Sequence, residues 1–464
     1  MLLEVDTKEL LSEILLRNGA GNLPVCALRK GCGKCRVKLL SGIWESGGKL
    51  LSAPAVVTPC CTRLKSCIGT VELPDAPFLE PQVAVNWEGA LPLKVQERPV
   101  IAVDLGTTTV AGVRIEKGKV VSRAGVLNQQ CCFGDNVISR IEKSEKDFSA
   151  LRNALLESVQ TLLNELGSGD VCRTGVAGNS VMSCFLHGAD PRSIGVYPFA
   201  VPQRFFPERN DLFGGIPLVT VPLISGFLGG DILGGLFVSE MEEGELCLDL
   251  GTNCEMIFKT DKALWGTSAA AGPAFEGAGI TAGSRAMTGA IDRYCGKGDF
   301  SVIGGGEARS LCGSALIDFL AVEREKGTLN AFGRFVSGAE KFEVAPGIFV
   351  SEKDIAEVLK AKAAVISAVR ALERYCGTPV KKIKLAGGFS RFLDINSACR
   401  IGLLPRVETV VCGNLSLAGA AYAALHSGAA EEMMLKAEKV REVHLNDLPD
   451  FAELFTKALL LESC

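Results

Sequence analysis

Histidine is scarce in this chain: three residues in 464, His187, His426 and His444, lie far apart. Isolated imidazoles of this kind read as core or surface fillers, and no Ser/His/Asp arrangement can be assembled from them. An excess of charge is missing too. The net charge is −4 and the pI about 5.7, which argues against a nucleic-acid or membrane-surface partner. A long unbroken apolar run is also absent. The most apolar stretch, Pro222–Val238, is interrupted by Gly226, Gly229, Gly230 and Asp231 and makes a poor membrane span. Glu4 and Asp6 stand near the start, where a secretory leader would carry a basic segment and an apolar one. With 22% charged and 47% hydrophobic residues, the chain has ample core-forming material and no signature of wholesale disorder. Its length suggests about three domains.

Cysteine, by contrast, is plentiful, at 18 residues. Many stand inside apolar segments, as at Cys184, Cys247 and Cys312, where a free thiol behaves as a small hydrophobe. The distribution is unlike a disulfide scaffold and predicts a reducing, cytoplasmic setting such as that of an anaerobe.

One group of cysteines has a pattern: Cys26-x5-Cys32-x2-Cys35, followed by Cys60 and Cys61. Plant-type ferredoxins hold a two-iron cluster with C-x4-C-x2-C and a distant fourth cysteine. Here the first gap is one residue longer. Gly31 and Gly33 flank Cys32 and allow the backbone to wrap closely and donate N–H groups to cluster sulfurs. Structural zinc is the alternative, since Cys32-x2-Cys35 is also zinc spacing. A zinc ribbon needs a second tight pair, for which Cys60-Cys61 is too close and Cys61-x5-Cys67 too loose. Residues 1–75 carry ten Lys/Arg against seven Asp/Glu, with Arg29, Lys30, Lys34 and Arg36 crowding the loop. This is either a solvated face or a docking patch for an acidic redox partner.

A second pattern occurs twice. Ile101–Val110 is an apolar run that reaches Asp104-Leu105-Gly106-Thr107-Thr108-Thr109, and Cys247–Asn253 reaches Asp249-Leu250-Gly251-Thr252-Asn253. Glycine permits the tight turn, and the turn aims N–H groups and hydroxyls at a phosphate. The aspartate at the strand end can hold Mg2+ through water. Two other runs also match each other: Gly178-Asn179 and Gly413-Asn414 each follow an apolar strand and open a helix of small residues. Paired loops and paired corners imply an internal duplication closing on a nucleotide.

The pattern divides the chain into an iron–sulfur unit (1–75), a proline-rich linker (76–97), a first lobe (98–244), a second lobe (245–430) and a polar helical tail (431–464). Strands are expected at Arg98–Val110, Gly112–Glu116, Val120–Gly125, Val171–Ala177 and Lys382–Ala386. Helices are expected at Phe148–Leu166 and Asp354–Cys376.

At these residues the chain resembles a known superfamily. Asp104–Thr109 is similar to the first phosphate loop of the actin, sugar-kinase and heat-shock-chaperone ATPases, Asp249–Asn253 to the second, and Leu385-Ala386-Gly387-Gly388-Phe389 to the adenosine motif. A narrower resemblance joins that ATPase to a ferredoxin domain: the reductive activators of corrinoid proteins. It rests on Leu127-Asn128-Gln129, Gly134–Arg140, Ala271–Gly277, Gly289–Asp292, Cys312-Gly313-Ser314 and Arg400–Pro405, with the cysteines. It implies an α/β protein in which a small ferredoxin-like (β-grasp) domain is fused to a duplicated, two-lobed actin-like (ribonuclease-H-like) ATPase. ATP would drive a low-potential electron from a 2Fe-2S cluster onto Co(II) of a corrinoid protein, giving Co(I).

The implied cluster ligands are Cys26, Cys32, Cys35 and Cys60; Cys60 is preferred to Cys61 by its distance from Thr62-Arg63. Asp104 and Asp249 would position Mg2+ and phosphate, helped by Gly106, Thr107, Thr108, Thr109, Gly251, Thr252 and Asn253. Asp231 would orient the attacking water, with Glu255 a weaker candidate. Glu276, Gly387 and Gly388 would meet the nucleoside. Ser180 and Asn414 read as structural corners. A low-potential electron donor is a further implied partner, and a homodimer is left open. The chain departs from the family in a late start to the ferredoxin unit, in the absence of a middle domain after it, and in Cys254 where glycine is usual. Competing classes are an activator of radical dehydratases, a small-molecule kinase of the same fold, and a non-catalytic redox sensor.

Overall fold

The computed structural model describes residues 2–17, 37–72, 85–87, 94–134 and 136–462. Its first part is a small two-sheet unit. Strands β1 (Leu2–Val5), β2 (Val37–Ser41), β5 (Ala55–Val57) and β7 (Gly69–Glu72) form one sheet in the order β1-β7-β2-β5. Strands β3 (Ile43–Ser46), β4 (Lys49–Ser52) and β6 (Thr62–Leu64) form the other. Helix α1 (Leu11–Arg17) covers them, and Leu11, Ile14 and Leu15 recur at helical spacing to meet Leu39, Trp44, Leu64 and Val71 in a core of their own. Trp44 is fully enclosed because its indole N–H finds the Ser41 carbonyl at 2.8 Å. Strand β1 runs antiparallel to the closing strand β7.

Two larger sheets follow. The first contains β8 (Val100–Leu105), β9 (Thr109–Glu116), β10 (Lys119–Leu127), β11 (Arg173–Gly178) and β12 (Leu218–Thr220) in the order β10-β9-β8-β11-β12. Helices α2 (Val137–Leu166), α3 (Ser180–His187) and α4 (Gly230–Val238) accompany it. The second contains β13 (Glu245–Leu250), β14 (Cys254–Lys259) and β15 (Leu264–Ala269), and later strands named below. Between them come β16 (Ala290–Gly296), β17 (Asp299–Val302), β18 (Ser310–Leu311), α5 (Gly313–Glu325), the hairpin β19 (Lys341–Ala345) and β20 (Ile348–Ser351), and α6 (Glu352–Cys376). The chain ends with β21 (Lys382–Ala386), α7 (Ile395–Arg400), β22 (Glu408–Gly413), α8 (Leu415–Leu425), α9 (Ala429–Ala437), β23 (Val440–Glu442) and α10 (Phe451–Ala458).

The second sheet has the order β22-β21-β13-β14-β15-β23. Both sheets therefore share one design: three antiparallel strands in sequence, then two strands added in parallel on the far side of the first. The duplication read from the paired loops is visible as this repeated topology. Strands β8 and β13 sit at the centre and are covered on both faces, which is why they read as near-continuous apolar runs.

Helix α8 ties the lobes together. It leaves β22 of the second sheet and packs on β8 and β11 of the first, and against α4. Small residues permit this approach. A Cβ on Gly419 would stand 2.3 Å from the Gly234 Cα, and one on Gly175 would stand 2.0 Å from the Ala420 carbonyl oxygen.

Several expected boundaries shift. Strand β8 stops at Leu105, because Gly106–Thr108 forms the turn and Thr109 already belongs to β9. Helix α2 starts at Val137, where Asn136 and Ser139 make a reciprocal cap, and bends at Asp147, just before the expected start. The tail expected to be helical contributes strand β23, paired in parallel with β15. No helix among the described residues is long and apolar enough to cross a membrane.

Candidate nucleotide site

The two Asp-x-Gly-Thr turns lie at the carboxyl ends of the equivalent strands β8 and β13 and face one cavity of about 290 Å³. In open α/β sheets this end of the central strands is where ligands bind. The cavity is lined by Asp104, Gly106, Thr107, Thr108 and Thr109 of the first turn, and by Asp249, Gly251, Thr252 and Asn253 of the second. Asp231, Glu255, Glu276, Gly387 and Gly388 complete the group that the sequence singled out. Gly387 follows β21 with φ +94°, and a Cβ there would fall 2.6 Å from Asp249 Oδ1. Only glycine leaves Asp249 that space.

Each turn is braced differently. The Asn128 amide donates to the Gly106 carbonyl at 2.9 Å, and buried Arg140 donates to the Thr107 carbonyl at 2.6 Å. Asn179, the cap of α3, donates to Thr107 Oγ1 at 2.9 Å, which leaves that hydroxyl proton free to donate. In the second turn the Thr252 hydroxyl donates to Glu276 Oε1 at 2.5 Å, so two residues expected to meet different parts of a nucleotide are joined to each other.

Asp104 is held from the far lobe. Asn414 Nδ2 and Ser416 Oγ each donate to one of its oxygens at 2.8 Å. Asn414 is thus more than a corner: it caps α8 through Leu417 N–H and at the same time positions Asp104. The Asn-x-Ser spacing at the start of α8 is the sequence signal for this pair, but only the packing of α8 on the first sheet aims it at Asp104. The ring of Phe389 stacks on Phe275 at 5.2 Å along the same cavity.

The electrostatics of the cleft are unfavourable when it is empty of cations. Burial pushes the Asp249 carboxyl up to about 8, and the charges of Asp231 and Asp104 add to this. Burial also raises Asp104 to about 6, although the Asn414 and Ser416 bonds oppose it. Glu255 is raised by burial, then by the neighbouring charge of Asp231, to which it hydrogen-bonds, and burial raises Asp231 as well. Among the described residues, no three Asp, Glu, His or Cys side chains converge closely enough to ligate one metal ion.

A pH dependence follows. These acids have folded-state pKa values above their unfolded ones, so their contribution to stability is present at low pH and lost as pH rises through about 6 and then about 8. A divalent cation restores what deprotonation costs. The gain in melting temperature on adding MgADP is expected to be larger at pH 8 than at pH 6, and binding to release protons, each worth up to about tenfold in affinity per pH unit. Equal gains at both pH values would remove the cation from these carboxylates.

Of the proposed cluster ligands, Cys26, Cys32 and Cys35 lie outside the described residues. Cys60 is buried on the short turn Pro59–Cys61. The neighbouring Cys61 thiol donates to the Thr58 carbonyl at 3.3 Å.

The repeated sheets and the acidic cleft between them define a two-lobed ASKHA-type nucleotide-binding protein. Two family descriptions match side by side: "RACo middle region" over residues 100–244 and "C-terminal domain of RACo the ASKHA domain" over 243–463. The two RACo descriptions together span residues 100–463, and the chain belongs to the RACo family. It is 31% identical over 375 residues to the corrinoid activation enzyme RamQ of Eubacterium limosum, a match covering 69% of this chain and 63% of that protein. It is 26% identical over 398 residues to the [Co(II) methylated amine-specific corrinoid protein] reductase of Methanosarcina barkeri, covering 74% and 73%. Among solved structures it resembles a reductive activator for corrinoid, iron-sulfur protein with TM-score 0.71 and 25% identity, over 99% of this chain and 97% of that one.

Proposed function

We propose that this protein is an ATP-dependent reductive activator that passes one low-potential electron from a 2Fe-2S cluster in its N-terminal unit to Co(II) of a corrinoid protein, yielding Co(I). The observation that carries the reading is the union, in one chain, of a cysteine-bearing small domain with the duplicated acidic cleft. The relatives' names and the match in fold to a reductive activator support it.

In this reading Asp104 and Asp249 hold the waters of Mg2+, and the backbone of Gly106–Thr108 and Gly251–Asn253 receives the phosphates. Asp231, hydrogen-bonded to Glu255, orients the attacking water. Asn414 and Ser416 carry the state of the cleft into α8, which packs on both α4 and the first sheet. A nucleotide that draws the two turns together therefore moves the element joining the lobes, and ATP binding biases one lobe arrangement over another. The N-terminal unit fits a ferredoxin-like role as far as its described residues go: Cys60 is withdrawn from solvent, while Cys61 is turned to Thr58. A bound two-iron cluster would supply a one-electron carrier. Its other ligands would be Cys26, Cys32 and Cys35, spaced as in the sequence.

The test is anaerobic reduction of a Co(II) corrinoid protein by the dithionite-reduced activator, followed in the absorption spectrum. Co(I) is expected only with MgATP present. Equal Co(I) without ATP would refute the coupling.

A further inference from the structure

The cavity walls are strongly unbalanced in charge. Asp104, Asp231, Asp249, Glu255 and Glu276 face it, and among the described lining residues Arg285 is the only cation. A triphosphate entering such a space meets repulsion from most of the wall, and Mg2+ offsets only part of it.

Arg285 is fixed by its backbone and free at its side chain. The preceding Ser284 is pinned by its N–H to the Leu311 carbonyl at 2.8 Å and by its hydroxyl to Ser310 at 2.6 Å and to the Arg285 carbonyl at 3.0 Å. A Cβ on Gly277 would stand 2.4 Å from the Ser284 carbonyl oxygen, so the loop beneath is closely packed. The guanidinium itself makes no hydrogen bond or ion pair with a described residue. Glu276 on its own lobe is the acid within electrostatic reach of it, and the Cys131 thiol lies within the same reach on the other lobe. Cys131 adjoins Arg140, which braces the first phosphate turn through the Thr107 carbonyl. Arg285 thus lines the cavity that both turns face. Arg285 is half-buried on the cavity wall, and a guanidinium's planar fork suits two phosphate oxygens at once.

We propose that Arg285 is the phosphate-binding cation of this cleft, engaging the terminal phosphate of ATP from the second lobe while the turn at Gly106–Thr108 holds it from the first. The inference rests on the nucleotide reading above. It makes Arg285 a substrate-contacting residue that senses whether the third phosphate is present.

The full-length protein with Arg285→Gln or Arg285→Lys tests this by calorimetric titration with MgATP and MgADP and by melting of the unliganded protein. Arg285→Gln is expected to weaken MgATP binding about 10- to 100-fold, the range of a charged hydrogen-bonded contact. The loss should be smaller for MgADP, smaller with lysine, and accompanied by an unchanged melting temperature without ligand. Unchanged MgATP affinity, or equal losses for both nucleotides, overturns the assignment. So does a fall in affinity that tracks a lower unliganded melting temperature in both variants, which would make the residue structural. If the wild-type protein binds neither nucleotide, the nucleotide reading itself fails and this inference with it.

Discussion

Asp249→Asn is expected to fold normally and to lose ATP hydrolysis by about 10²-fold or more, the size of effect that removing one preorganised electrostatic group produces. The argument has two halves. Asp249 is half-buried at the end of β13, and its carboxyl is pushed up to about 8 by desolvation and by the charges of Asp231 and Asp104. Asparagine keeps the shape, so Gly387 still fits against it, and it abolishes the cost of ionising there. The unliganded variant should therefore melt no lower than the wild type, and higher at pH 8, where the wild-type carboxyl has begun to ionise. On the proposed function the same substitution removes a carboxylate that would accept from the waters of Mg2+, and hydrolysis should fall for that reason alone. Steady-state ATPase assays and melting curves on one preparation separate the two halves. Turnover equal to the wild type would take the second Asp-x-Gly-Thr turn out of the mechanism.

A second large effect is expected at the cysteine loop. Cys32→Ala should abolish MgATP-dependent appearance of Co(I) while leaving nucleotide binding intact, because Cys32 belongs to the proposed cluster ligands and not to the residues that line the cleft. Iron analysis and EPR on anaerobically reconstituted protein supply the independent readout. The wild type should hold about two irons per chain and give a rhombic signal when reduced, and the variant should lose it. Zinc in place of iron in the wild type, or full activation by a cluster-free variant, would exclude the electron-carrier role and direct attention to a kinase of the same fold.

Much of this was legible in the chain itself. The near-continuous apolar runs of β8 and β13 announce strands buried on both faces, and the repeat of Asp-x-Gly-Thr predicts the repeated sheet order that is seen. Local chemistry sufficed there: glycine at a turn, an acid at a strand end, alternation of apolar positions. The strand limits were less accurate, because Thr109 is as suited to a strand as Val103, and only the tight turn at Gly106 decides where β8 ends. The short strand β23 was missed for a related reason. Its residues Val440-Arg441-Glu442 have little strand character, and pairing with β15 supplies it.

By itself, then, the sequence determined which residues could meet a phosphate, and that there are two sets of them. It could not say that Asn414 and Ser416 hold Asp104, since more than 300 residues separate them from it along the chain. Nor could it show Glu255 hydrogen-bonded to Asp231, or Arg285 as the lone cation among the described walls of an acidic cavity. Those relations arise when α8 crosses from one sheet to the other and the lobes exclude water between them. Turn and strand preferences are set by neighbours in the chain, whereas the energy of a buried charge depends on every group that folding brings around it.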